Sequence, residues 1–183
     1  MSEELLVRHC SPTLAGLKTG NMFTVPYTSH NSIKENIRNL NKIMVPKGLC
    51  VIPLRFSNNR VLIYLYRPDK LKQDLTDSYA CKLLKKHGYT SAKPNQCIVR
   101  LIERFSETSE FPHEIGLFLG YPPEDVEGFI DNKADNYKFT GVWKVYGDEV
   151  KAKEIFAKFK KCTEVYYSQW LNGITVEKLI VTV

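Results

Sequence analysis

The sequence predicts an α/β (or α+β) fold: one globular domain over residues 1–183, with a mixed sheet of about five or six strands and helices packed on it. Three observations lead there. The chain has 183 residues and is 43% hydrophobic, enough for one proper core and too short for two comfortable ones. Two β-rich runs, LCVIPLRF and RVLIYLYR, flank Ser57-Asn58-Asn59 and read as a hairpin, so the sheet cannot be wholly parallel. Segments with helical spacing then alternate with short apolar runs along the rest of the chain.

Leu5 to Arg8 reads as a short strand. Ser11 suits an N-cap, Pro12 a first helical position and Gly20 a left-handed stop, giving a short helix at about 12 to 18 with Cys10 just before its N-terminus. There the helix dipole would favour a thiolate. Ser32 to Glu35 has capping-box spacing ahead of Ile33, Ile37, Leu40 and Met44, which share one face; Pro46 and Gly48 end that helix. Pro53 places the first hairpin strand at an edge or on a bulge. Asp69 caps a helix with the stripe Leu71, Leu75, Tyr79 and Leu83, ending at Gly88. Cys97, Ile98, Leu101, Ile102 and Phe105 recur at helical spacing between about Asn95 and Glu107, so Cys81 and Cys97 read as core residues.

Glu114 to Leu119 reads as a strand leading into a Gly-Tyr-Pro-Pro corner. The helix that follows begins at Pro122 and Pro123, with Glu124 and Asp125 in its first turn and Val126, Phe129 and Ile130 facing inward. Phe139 to Tyr146 is a strand, and Asp148 caps the longest helix, to about Leu171, which Asn172-Gly173 ends. Ile174 to Val183 is a last strand.

The formal charge of +6 and pI near 9.0 bear on solubility and encounter rates. With no RNP-like motif, zinc-finger spacing or Arg-rich tail, nucleic-acid binding is not expected. The first residues carry two glutamates and lack the basic start of a signal peptide, and no apolar run approaches the roughly 20 residues of a membrane helix. A soluble protein without membrane insertion is expected. The five cysteines are odd in number and form no CxxC pair, which fits a reducing cytoplasm.

Three constellations carry chemistry. Cys10 and His113 occur in the order used by papain-like and C39-like cysteine peptidases, and CSPTLAGL faintly resembles the nucleophile motif of that group. A thiol enzyme would need His113 to accept the Cys10 proton and a third group, Glu114 or Asp148, to orient the ring. Strand alternation would point Glu114 away from His113. The turn from Ser11 to Lys18, with His9, Thr13 and Lys18, could hold an anion such as a flavin phosphate. Haem could be held by one axial His or Cys, although His9, His30, His87 and His113 lack metal-ligand spacing, and His87 reads as a helix C-terminal residue.

Tyr66, Tyr121, Tyr146, Trp143 and Trp170 could wall a pocket. The preferred reading is a binding protein with its pocket between Cys10 to Lys18 and His113 to Tyr121. Lysines 151, 153, 158, 160 and 161 on the long helix suit docking of an acidic protein.

The stretches HEIGLFLGYPPEDVEGFI, GVWKVYGDEVKAKEIFAKFKKCTEVY and CSPTLAGLK resemble a bacterial family known as domain of unknown function 3793, over nearly the whole chain. That resemblance implies a small cytoplasmic protein of mostly anaerobic bacteria, encoded near flavodoxins and iron-uptake genes. It points to an accessory role in iron, haem or flavodoxin-dependent redox metabolism beside an acidic partner such as a flavodoxin; the cofactor is left open, with haem and FMN as the candidates from the residues themselves. It implies no catalytic residues.

Overall fold

A computed structural model describes residues 2–91, 93–107 and 111–182. In chain order the elements are α1 (Glu3–Leu14), β1 (Gly20–Pro26), α2 (His30–Met44), a 3-10 turn (Val45–Lys47), β2 (Cys50–Ser57), β3 (Arg60–Tyr66), α3 (Pro68–Thr76), α4 (Ser78–Lys86), α5 (Pro94–Glu107), α6 (Ile115–Phe118), α7 (Pro123–Asp131), β4 (Phe139–Thr140), β5 (Lys144–Val145), α8 (Glu149–Leu171) and α9 (Val176–Leu179). The fold is mixed α and β. Its strands form a three-stranded and a two-stranded sheet rather than one sheet of five or six. By contacts the chain divides into two compact units, Met1–Lys70 with Lys161–Val183, and Leu71–Lys160.

In the first unit the sheet order is β1-β3-β2, antiparallel throughout. Asn58 and Asn59 both have positive φ, 49° and 56°, as a two-residue type I′ hairpin turn requires. The register shifts between Pro53 and Arg55, so the proline sits at a bulge on an edge strand, as expected. β1 was not legible as a strand, yet all seven of its residues pair with β3. Phe23 and Val25 alternate inward from it to meet Val61, Ile63 and Leu65 of β3 and Leu6, Val7, Cys10 and Leu14 of α1.

Four expected elements differ. Residues 5–8 belong to α1, because Leu6, Val7, Cys10 and Leu14 are buried at helical spacing. Pro12 then lies inside that helix rather than at its start, and Gly16, not Gly20, takes the left-handed conformation (φ 75°) beyond its end. Residues 115–118 form a one-turn helix with all four residues buried; a continuous apolar run fits a buried helix as well as a strand. Val176, Leu179 and Ile180 are likewise buried at i, i+3 and i+4, so α9 replaces the last strand, whose final residue, Val183, lies outside the described residues.

Phe139 to Tyr146 is two strands, not one. Gly141 donates to the Trp143 carbonyl at 3.0 Å, and a Cβ on it would lie 2.3 Å from the Phe156 ring. The chain turns at the only residue type that fits there.

Smaller shifts follow the caps. Ser29, not Ser32, caps α2, its Oγ accepting from the Ser32 N–H at 3.1 Å. The helix expected from Asp69 to Gly88 breaks at Asp77, whose carboxylate accepts from the Tyr79 and Ala80 N–H groups and starts α4. His87 is the C-cap of α4, and Cys97, Ile98, Leu101 and Phe105 form the buried face of α5. Cys81 is half-buried, its thiol donating to the Leu75 carbonyl. Asp148 caps α8 through the Lys151 N–H at 3.0 Å. Among the described residues no helix is long and apolar enough to cross a membrane.

Candidate functional site

The second unit contains a cavity of about 380 Å³ whose walls come from three places. Phe111 and His113 precede α6, Tyr121 follows it, Asp125 and Phe129 project from α7, and Thr140 to Lys144 form the β4–β5 turn. Gly116 is what lets α6 approach α7: a Cβ there would stand 2.7 Å from a Val126 methyl and 3.2 Å from the Tyr121 ring.

Aromatic rings dominate the walls. Tyr121 and Trp143 lie 4.7 Å apart at 30°, and Phe156 meets Trp143 edge-on at 4.5 Å and 82°. His113 is exposed and tilts over Phe129 at 5.0 Å, with Phe111 at 6.1 Å. Among the described residues, no hydrogen bond engages the His113 ring nitrogens. Burial pushes the Tyr121 phenol up to about 12, so it stays a neutral hydroxyl, donating to the Val142 carbonyl at 3.4 Å.

Asp125 is the residue that sequence reasoning missed. Placed by the sequence in the first turn of its helix, it is only 3% exposed. Its Oδ2 accepts from Trp143 Nε1 at 2.7 Å, and its Oδ1 accepts from the Tyr146 and Gly147 N–H groups, each at 2.7 Å. It thereby fixes both the indole and the strand end after β5. The available signal was an acid at the start of α7 and a Trp 18 residues on; nothing local joins them.

Tyr121 and Trp143 wall the cavity as expected. Tyr66 instead stacks on Tyr64 in β3 at 4.7 Å, and Tyr146 packs over Gly128. The Trp170 indole donates to Glu3 at 3.3 Å.

The remaining predicted residues have other surroundings. Glu114 is 1% exposed and accepts from Tyr89 at 3.0 Å and from Arg104 Nε. Its carboxylate is thus committed to an ion pair with Arg104. The strand argument for separating it from His113 falls with the strand. Cys10, in the first unit, lies within α1 and not before a helix N-terminus, so the dipole argument for a thiolate is overturned. It is fully buried among apolar side chains, and that burial pushes its thiol pKa up, away from the nucleophilic form.

Ser11 is likewise mid-helix, its hydroxyl bonded to the Val7 carbonyl, which removes the expected anion site at a helix start. Thr13 is buried and donates to Asn21 at 2.6 Å. His9 is exposed and stacks on Phe23 at 6.1 Å. Lys18 is 5% exposed, and burial lowers its pKa to about 8. All five cysteines are free thiols. Among the described residues no group of three or more His, Cys, Asp or Glu side chains is placed to hold a metal ion.

No curated protein and no solved structure matches the chain. A family model does: it covers residues 6–180 and carries the description "Protein of unknown function (DUF3793)", and the chain belongs to that family.

Proposed function

We propose that the protein is a ligand-binding accessory protein whose site is the aromatic cavity of the second unit. The observation that carries this reading is the cavity itself. About 380 Å³ falls within the roughly 300–1,000 Å³ of small-molecule sites, which are mostly apolar with a few polar groups. Here one polar group of the wall is the His113 imidazole, whose ring nitrogens make no hydrogen bond among the described residues.

Within this reading the protein acts in the cytoplasm, in iron, haem or flavodoxin-dependent redox metabolism, a role that the family resemblance implies. His113 is the side chain that would take an axial position on a haem iron. An FMN ring would stack on Tyr121 and Trp143. The start of α7 suits its phosphate poorly, since Pro122 and Pro123 have no N–H, the Asp125 and Val126 N–H groups already donate to the Pro122 carbonyl, and Glu124 and Asp125 carry negative charge there. The exposed lysines 151, 153, 158 and 160 on α8 support docking of an acidic protein such as a flavodoxin, which salt would weaken.

The test is a titration of purified protein with haem and with FMN, followed by the visible spectrum and by tryptophan fluorescence, in the native chain and in His113→Ala and Trp143→Leu. Binding that depends on both side chains supports the site. A spectral change unaffected by either substitution moves the ligand elsewhere, and no change with either ligand removes the cofactor half of the reading.

A further inference from the structure

We infer that the cavity of the second unit is built for an organic cation, an amine or quaternary ammonium group, in preference to an anion or a neutral ring. The inference rests on the cavity being a ligand site and adds the sign of its field.

Two observations set that sign. Aromatic faces attract cations through the negative face of their quadrupole, tryptophan most strongly, and rings of Tyr121, Phe129 and Trp143 stand in the wall. Beside them lies the Asp125 carboxylate, 3% exposed. Its three hydrogen bonds come from neutral donors, the Trp143 indole and two backbone N–H groups. Its charge is therefore dispersed but not cancelled. Donation from the indole N–H to a carboxylate also pushes electron density into the ring that a cation would meet.

The nearby cations are held elsewhere. Lys144 is itself a wall residue, but its Nζ donates to the Ala134 carbonyl at 2.7 Å and sits 4.5 Å from the Tyr137 ring centre, and neither Ala134 nor Tyr137 lines the cavity. Lys138 Nζ donates to the Gly147 carbonyl at 2.8 Å. Among the described residues Asp125 is the only carboxylate in the wall and has no ion-pair partner. An anion would find the opposite: Pro122 and Pro123 have no N–H, the Asp125 and Val126 N–H groups donate to the Pro122 carbonyl, and Glu124 and Asp125 carry negative charge in the first turn.

The experiment is calorimetry on the full chain at pH 8 with choline, its neutral isostere 3,3-dimethylbutan-1-ol, and benzoate. Choline is expected to bind about tenfold more tightly than the isostere, and benzoate most weakly, from the range of desolvated cation–π contacts. Asp125→Asn should lower choline affinity and leave the isostere unchanged. Phe129→Leu should do the same by removing a π face from a half-buried position, and it carries the test if the Asp125 variant does not fold. Equal affinity for choline and the isostere, or tightest binding of benzoate, overturns the cation assignment and leaves the cavity a ligand site. No binding of any of the three at millimolar concentration overturns both.

Discussion

Replacing Arg67 with Met should cost the first unit about 3 kcal/mol. Arg67 follows β3 and is 3% exposed. Its Nε donates to the Thr13 carbonyl, and its Nη2 donates to the carbonyls of Leu14 and Val181, all at 2.7 Å. Two of these acceptors are carbonyls of the last turn of α1, which has no basic residue of its own there; each also accepts one backbone N–H, from Gly16 and Val181 respectively. The third belongs to the C-terminal segment, where the Val181 N–H also donates to Leu14.

Hydrogen bonds to a charged group contribute roughly 1.5–3 kcal/mol each. Three of them outweigh the cost of burying the guanidinium, a cost visible in the lowering of its pKa by burial. Met fills similar volume but leaves three carbonyls without that donor; three bonds at the low end of about 1.5 kcal/mol each, less the cost of burying the guanidinium, leave a net loss of about 3 kcal/mol. That corresponds to a fall in melting temperature of about 6–12 °C for a chain of this size. Arg67→Lys keeps the charge but not the planar fork, and should recover less than half. Urea denaturation of the three proteins measures this, and hydrogen exchange at the Val181 amide should accelerate in Arg67→Met. A loss under about 1 kcal/mol with unchanged Val181 exchange would refute the reasoning.

Three further outcomes are expected. Lys18→Met should gain stability relative to the native chain as pH falls from 10 to 7. The buried amine has a folded pKa of about 8 against 10.5 in the unfolded chain, so its penalty is complete below pH 8, on the order of 3 kcal/mol, and fades as pH rises toward 10.5; paired urea curves at pH 7 and 10 should show that relative gain. Gly141→Ala should destabilise the second unit by about 1–3 kcal/mol, because the new Cβ must displace the Phe156 ring, and near-ultraviolet circular dichroism should register the disturbed Trp143–Phe156 pair. Cys10 should resist iodoacetamide in the folded protein at pH 7 while half-buried Cys50, Cys81 and Cys162 react first; mass spectrometry showing Cys10 among the earliest sites would reopen thiol chemistry.

What was legible in the sequence was what local chemistry decides. Ser57-Asn58-Asn59 announced a hairpin because turn formers join two β-rich runs there, and the Cys97 to Phe105 spacing announced α5 because a stripe at that period has one buried face. Pro53 announced an edge and a bulge.

The errors share a cause. Residues 115–118 and 176–180 are short apolar runs whose type depends on what they pack against, and periodicity over so few residues does not separate helix from strand. The break at Gly141 depends on Phe156, 15 residues later. In the site, His113 and Tyr121 were named for their own chemistry. Asp125 was not, because its role exists only once Trp143, Tyr146 and Gly147 arrive beside it.

Each outer strand of the β1-β3-β2 sheet carries a proline, Pro26 ending β1 and Pro53 at the bulge of β2. A free sheet edge is a template on which another chain can add a strand. Proline cannot donate to such a ladder, and a bulge throws its register out of step. The strand richest in apolar side chains, β3, is the one shielded on both sides. The order of strands therefore guards the protein against sheet-to-sheet aggregation, with its most adhesive segment kept away from any edge.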